Sequence, residues 1–145
     1  MSVNQLNLQH SLRTYLASAI GVNVVWVYDG VTLPTAKPFM TVEQMQNNNE
    51  IIAKQREAVA TTHRFQVGLY ASSASERSRM QTQVSQALLF GKIPLIDLGQ
   101  STKPTVGYFY ADVRNEVPIP SDSTDEKTKH HLMFFDIEID VHYYG

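Results

Sequence analysis

The sequence predicts an α+β fold: a mostly antiparallel sheet of four to five strands, two helices packed on one of its faces, and a protruding β-hairpin arm. Three observations carry that reading. Near the C-terminus, Met133, Phe135, Ile137, Ile139, Val141 and Tyr143 alternate with Asp136, Glu138, Asp140 and His142, so an extended strand over residues 131–143 sorts them onto an apolar and a polar face. Helical spacing of apolar residues occurs in two places only. The strand-like segments follow one another with few helices between them, which disfavours a doubly wound parallel sheet.

Leu8, Leu12, Tyr15, Leu16 and Ala19 recur at helical spacing, with Asn4 or Asn7 as a cap and Gly21 as a left-handed stop, predicting a helix over residues 5–20. Residues 22–28 are β-branched and aromatic and end at the Asp29-Gly30 turn signal, giving a first strand. Pro34 and Pro38 bracket a loop, and residues 39–46 read as a second strand.

The run Asn47-Asn48-Asn49 favours a turn, because short amide side chains bond local backbone and tolerate left-handed angles. With residues 50–56 behind it, this segment is expected to form the arm. Residues 59–71 then alternate, placing Thr61, His63, Phe65, Val67 and Leu69 on one face and Arg64, Gln66 and Tyr70 on the other. Ser73 with Glu76 three residues later is a capping-box pattern opening the second helix, whose inner stripe is Met80, Val84, Ala87 and Leu88 and whose stop is Gly91.

Residues 92–98 are interrupted by Pro94 and read as a loop with a strand fragment. Residues 107–113 form a fourth strand, expected to pair with the terminal one. Residues 121–129 are the most polar run and predict an exposed connection.

Length and composition bound the possibilities. A chain of 145 residues is one domain, residues 1–145, and buries roughly 68–70% of the surface that its unfolded form exposes. Hydrophobic residues at 43% and charged residues at 18% are ordinary for a globular protein, and no apolar run approaches the ~20 residues of a membrane span. Met1 to His10 lacks the basic and apolar segments of a signal peptide, so synthesis and assembly in a cytoplasm are expected. The chain has no cysteine, which removes disulfides and thiolate chemistry. Twelve basic against fourteen acidic residues give a net charge of −2, no footprint for free nucleic acid.

The sequence declares little chemistry. Asp136, Glu138 and Asp140 share a strand face, but neighbours there stand about 6–7 Å apart, so a cation held at about 2.3–2.6 Å would need ligands from elsewhere. The pair His130-His131 lacks the companion spacing of a zinc site, and His63 on an apolar face reads as a core histidine. No serine lies in a nucleophile-elbow motif and no glycines cluster into a phosphate loop. The expectation is a non-enzyme without metal or cofactor. Many of the aromatic side chains lie on strands, and together with the arm they point to assembly.

The segments VVWVYDG, PFMTVEQMQNNNEIIAKQREAV, FQVGLYASSASERSRM, GYFYADV and HHLMFFDIEIDVHYYG, in this order from Leu8 to Tyr144, resemble the tail terminator proteins of long-tailed bacteriophages, also described as tail completion or tail-to-head joining proteins. That resemblance implies an α+β subunit, often monomeric before assembly, that forms a hexameric ring on the head-proximal end of the tail tube. The ring stops tube polymerisation, presents the surface on which the head connector docks, and lets DNA pass through without sequence-specific binding. The implied partners are further copies of the chain, the tail tube protein and the head connector or neck protein; the implied location is the virion.

On this reading Asn48, Glu50, Ile51, Ile52, Lys54 and Arg56 of the arm meet a neighbouring subunit. Asp122, Asp125 and Glu126 face a partner ring or the lumen, as do Asp136, Glu138 and Asp140, whose charge would repel DNA phosphates. The alternatives are a neck or head-completion connector ring, a small metal-dependent hydrolase built on the terminal acidic row, and a monomeric ligand-binding domain.

Overall fold

A computed structural model describes residues 3–52, 58–119 and 131–144. Among them the chain forms two helices and eight strands in the order α1 (Gln5–Ile20), β1 (Asn23–Val27), β2 (Phe39–Gln44), β3 (Asn48–Ile51), β4 (Ala58–Tyr70), α2 (Ala74–Phe90), β5 (Ile93–Ile96), β6 (Thr105–Phe109), β7 (Asp112–Pro118) and β8 (Leu132–Tyr144). The α+β class stands, with more strands than the four to five expected. Six strands form one sheet in the order β1-β2-β4-β8-β7 with β3 also on β4, and β5 pairs with β6 in a separate two-stranded sheet.

The centre is the antiparallel pair β4 and β8, in register over thirteen residues from Ala58 opposite Tyr144 to Tyr70 opposite Leu132. The alternation read from sequence decides which face is covered. Phe65, Val67 and Leu69 of β4 and Met133, Phe135, Ile137 and Ile139 of β8 are all buried, and they join Leu8, Leu12 and Leu16 of α1 and Met80, Val84 and Leu88 of α2 in one core. Both helices therefore lie on the same face of the sheet, and β1 runs parallel to β2 while the other pairings are antiparallel.

The helix ends follow their predicted caps with one exception. Asn4 accepts from the Asn7 amide and Gly21 closes α1 in the left-handed conformation at φ 78. Ser73 accepts from the Glu76 amide, while the Glu76 carboxylate reaches back one residue further than in the usual box, to the amide and hydroxyl of Ser72. Gly91 is not a left-handed stop: its φ is −79. It is glycine because a Cβ there would overlap the Tyr15 hydroxyl and the Ala87 carbonyl, which bond each other at 2.8 Å.

Two further expectations are corrected. Residues 107–113 are not one strand: the chain leaves β6 at Phe109, turns at Tyr110 and Ala111, and begins β7 at Asp112 in the other sheet. Of β6 and β7, only β7 pairs with the terminal strand, with a register shift at Arg114. The α1 helix is also covered on a second side. Ser11 accepts from the Ile96 amide and Asn7 from the Leu98 amide, so buried polar side chains fasten α1 to the β5 segment.

Replacing Gly91 by alanine should destabilise the fold by about 1–3 kcal/mol, the usual range for overpacking. Because the Ala87 clash is with backbone, adding Tyr15→Phe should not restore it. Urea unfolding of the single and double variants checks this, and an unchanged midpoint for Gly91→Ala would refute it.

Candidate functional site

The arm forms as a hairpin, with β3 antiparallel to the first half of β4 from Asn48 opposite Thr62 to Ile51 opposite Val59. All four β3 residues are exposed, Ile51 at 50%, and Ile52 beyond them is exposed at 48%. Asn48, Glu50, Ile51 and Ile52 are therefore brought together on one free edge. Lys54 and Arg56 lie outside the described residues, as do Asp122, Asp125 and Glu126.

The root of the arm is a hydrogen-bonded cluster drawn from four segments. His63 of β4, only 4% exposed, meets Gln5 Oε1 of α1 through Nδ1 at 2.8 Å and the Tyr143 hydroxyl of β8 through Nε2 at 2.8 Å. Asn47, just before β3, donates to the same Gln5 oxygen at 2.9 Å. Since that oxygen can only accept, the network assigns the hydrogen to Nδ1 and leaves Nε2 to accept from tyrosine. His63 is thus the core histidine anticipated, with an arm-anchoring partner set that spacing could not show. Burial holds its pKa below the ordinary 6.5 and raises that of the Tyr143 hydroxyl above its ordinary value.

The acidic row stands on the sheet face away from the helices, as expected, but it is not a bare charge. Glu138 accepts from Arg114 Nε at 2.7 Å and from Arg64 Nε at 3.0 Å, one arginine on each side. Asp140 accepts from the Thr62 hydroxyl at 2.7 Å and Asp136 from the Asn115 amide at 3.3 Å. In the amide orientation that satisfies both of its atoms, Asn48 accepts from Arg64 Nη2 at 2.9 Å, linking this network to β3. The arginines, Asn115, Asp136, Glu138 and Met45 line an open hollow of about 390 Å³. Among the described residues no group of three or more His, Asp or Glu side chains is placed to hold a metal ion.

The same outer face is apolar at its other end. Phe39 is buried there by Tyr70, the rings stacked 9° from parallel at 4.5 Å, and Phe134 and Leu33 border the adjoining hollow. Tyr70 and Phe134 therefore contribute to a small second core as well as to the surface. Large apolar side chains remain exposed elsewhere: Trp26 in β1 with Tyr28 just after it, and Phe90 at the end of α2, exposed at 80%, with Tyr108 and Tyr110 in and after β6. Lys92 lies 4.6 Å over the Tyr108 ring.

No protein-family model and no curated protein matches the chain. A solved structure whose printed name states no function is similar with a TM-score of 0.52 and 14% identity, covering 97% of this chain and 94% of that one. At that identity the likeness concerns the fold. No described helix is long and apolar enough to cross a membrane.

Two outcomes follow from this geometry. The folded pKa of His63 lies below the unfolded value, so the folded state binds fewer protons and loses stability as pH falls through 6.5 and below. Amide protection at Asn47, His63 and Tyr143, taken relative to the intrinsic exchange rate at each pH, should fall on acidification ahead of the core; a His63 that titrates at or above 6.5 by NMR would refute the assignment. Glu138→Gln should cost about 1 kcal/mol at low salt and less at high salt, because both arginines are substantially exposed and screened. Denaturant titrations at two ionic strengths check it.

Proposed function

We propose that this chain is a tail-terminator subunit that forms a ring, hexameric by resemblance, on the head-proximal end of a phage tail tube, ending polymerisation and offering the docking surface for the head. The observation that carries the proposal is the arm. A strand with every residue exposed, ending in two half-exposed isoleucines, is an edge built to be covered by protein. A ring of identical subunits needs two unlike surfaces per copy, and the exposed aromatics around Phe90 and Tyr108 are a second apolar surface, unlike the arm. Such a protein works through contact surfaces, so the reading is of a structural virion component and not an enzyme. Its partners are its own copies, the tube protein below and the head connector above, with DNA passing through the centre.

The acidic face fits a lumen less simply than the bare row suggested. Asp112, Asp136, Glu138 and Asp140 carry four negative charges against two from Arg64 and Arg114, leaving −2 on that part of the face. A weakly negative wall still disfavours phosphate adhesion.

Removal of the gene from an assembling phage should give overlong tail tubes by electron microscopy. Normal-length tails lacking heads would instead assign the chain to the neck. Ile51→Asp with Ile52→Asp should leave a folded subunit that fails to restore tail length; full rescue would rule out the arm as the ring contact.

A further inference from the structure

The margin of the main sheet on the β1 side is stepped. One flank of β4 is paired by β8 along its whole length, but the other is divided between two strands. β2 covers Phe65–Tyr70 and carries β1 outside it, whereas β3 covers Val59–Thr62 and carries nothing outside it among the described residues. A terrace two strands wide thus adjoins a terrace one strand wide. The riser is the short link 45–47, where the Met45 amide donates to the Arg64 carbonyl.

This outline is complementary to itself. A half-turn about an axis normal to the sheet, level with Arg64 but two strands out on the line of β1, sets the narrow terrace of a second copy against β1, and β1 of the second copy against β3 of the first. The strand directions suit the contact. β1 is parallel to β2, which is antiparallel to β4, and β3 is also antiparallel to β4, so the half-turn makes β1 and the facing β3 antiparallel.

The offsets match as well. Val27 pairs through Glu43 with Gln66, two residues beyond Arg64, and Asn48 pairs with Thr62, two residues before it. Val27 therefore meets Asn48 of the second copy, followed by Trp26 with Asn49, Val25 with Glu50 and Val24 with Ile51. The faces agree: Val24 and Trp26 point to the helix side with Asn49 and Ile51, and Val25 and Glu50 point away from it. The hollow beside β1, lined by Arg13, Val24, Trp26, Tyr28 and Val31 and about 460 Å³ in volume, lies where Ile51 arrives.

The two margins of the sheet differ in protection. β7 carries a register shift at Arg114, an acidic Glu116 and Pro118, the usual guards of an exposed edge. β1, with the sequence NVVWV, has no charge, no proline and no bulge. Each copy offers nine strand residues with Tyr28 and Ile52 beside them, roughly half the 20–30 residues a side of a standard interface. That corresponds to about 800 Å² buried in total, the size of a weak and reversible contact.

We infer that the free chain forms an isologous dimer in which β1 of each copy pairs antiparallel with β3 of the other, joining the two main sheets into one. The inference does not rest on the tail-terminator reading. It replaces the monomer expected before assembly, and the dimer covers the arm that a ring would use, so the two states exclude each other.

Because the chain has no cysteine, engineered thiols report the contact without interference. Val25 and Glu50 of one copy stand eight β4 positions apart, roughly 26 Å along the strand, too far for an internal disulfide. Full-length chain carrying Val25→Cys with Glu50→Cys should oxidise to one covalent dimer and nothing larger. A ladder reaching trimers and beyond would overturn the two-fold contact and favour a head-to-tail ring; absence of cross-linking would overturn it too. Sedimentation of the unmodified chain, independent of the variant's folding, should show a monomer–dimer equilibrium in the micromolar range that Trp26→Lys weakens at least tenfold. A monomer at every concentration up to the millimolar range refutes the dimer while leaving tail-length rescue to judge the ring.

Discussion

The thirteen-residue antiparallel pairing of β4 with β8 is the constraint on which the remaining structure depends. Both strands alternate strictly, so a slip of one residue would drive Arg64, Asp136, Glu138 and Asp140 into the core and expose Phe65, Phe135 and Ile137. The helices are shorter than these strands in space. Thirteen strand residues extend about 43 Å, whereas the sixteen residues of α1 extend about 24 Å. Part of the pair must therefore run past the helices, and β3 adds itself to that overhang. The arm is thus a consequence of unequal element lengths, anchored where the core ends by the His63 cluster.

Much of this was legible because it depends on local periodicity. The faces of β4 and β8 and the Asn4, Gly21 and Ser73 helix signals all follow from side-chain chemistry within a few residues. What was hidden depends on tertiary placement. Period two continues through residues 107–113 and cannot reveal that the chain changes sheets at Tyr110. Gly91 looked like a conformational stop, but its requirement for lacking a Cβ comes from the Ala87 carbonyl and from Tyr15, the latter distant in sequence. Asn7 reads from sequence only as a cap candidate, and nothing local shows that β5 covers it and Ser11.

The site divides in the same way. Asn48, Glu50, Ile51 and Ile52 could be named as arm residues, but the turn expected at the asparagines is not there: Asn48 and Asn49 are the first two residues of β3, paired with Thr62 and Thr61. The acidic row could be placed on one face by alternation, but its neutralisation depends on which strands flank β8. Arg64 arrives from β4, and Arg114 from β7 through an irregularity in register that no periodicity encodes. Glu138 consequently acts as a crosslink between three adjacent strands. A carboxylate between two guanidinium groups also stiffens the part of the sheet nearest β3, since Arg64 reaches Asn48 as well.

The unequal margins of the main sheet then acquire a physical meaning. An exposed edge with backbone groups unpaired and apolar side chains beside it is an aggregation hazard, and β7 shows that this chain can carry guards where an edge is to stay free. Leaving β1 unguarded is tolerable only if something of matching length covers it. A strand of matching polarity and offset stands on the same margin at β3, and one half-turn satisfies both edges at once. Two open edges that cancel in pairs give a closed object, whereas the same edges offered head to tail leave one unsatisfied at each end until a ring closes. Under the two proposed assemblies, the choice between them rests on what competes for β3.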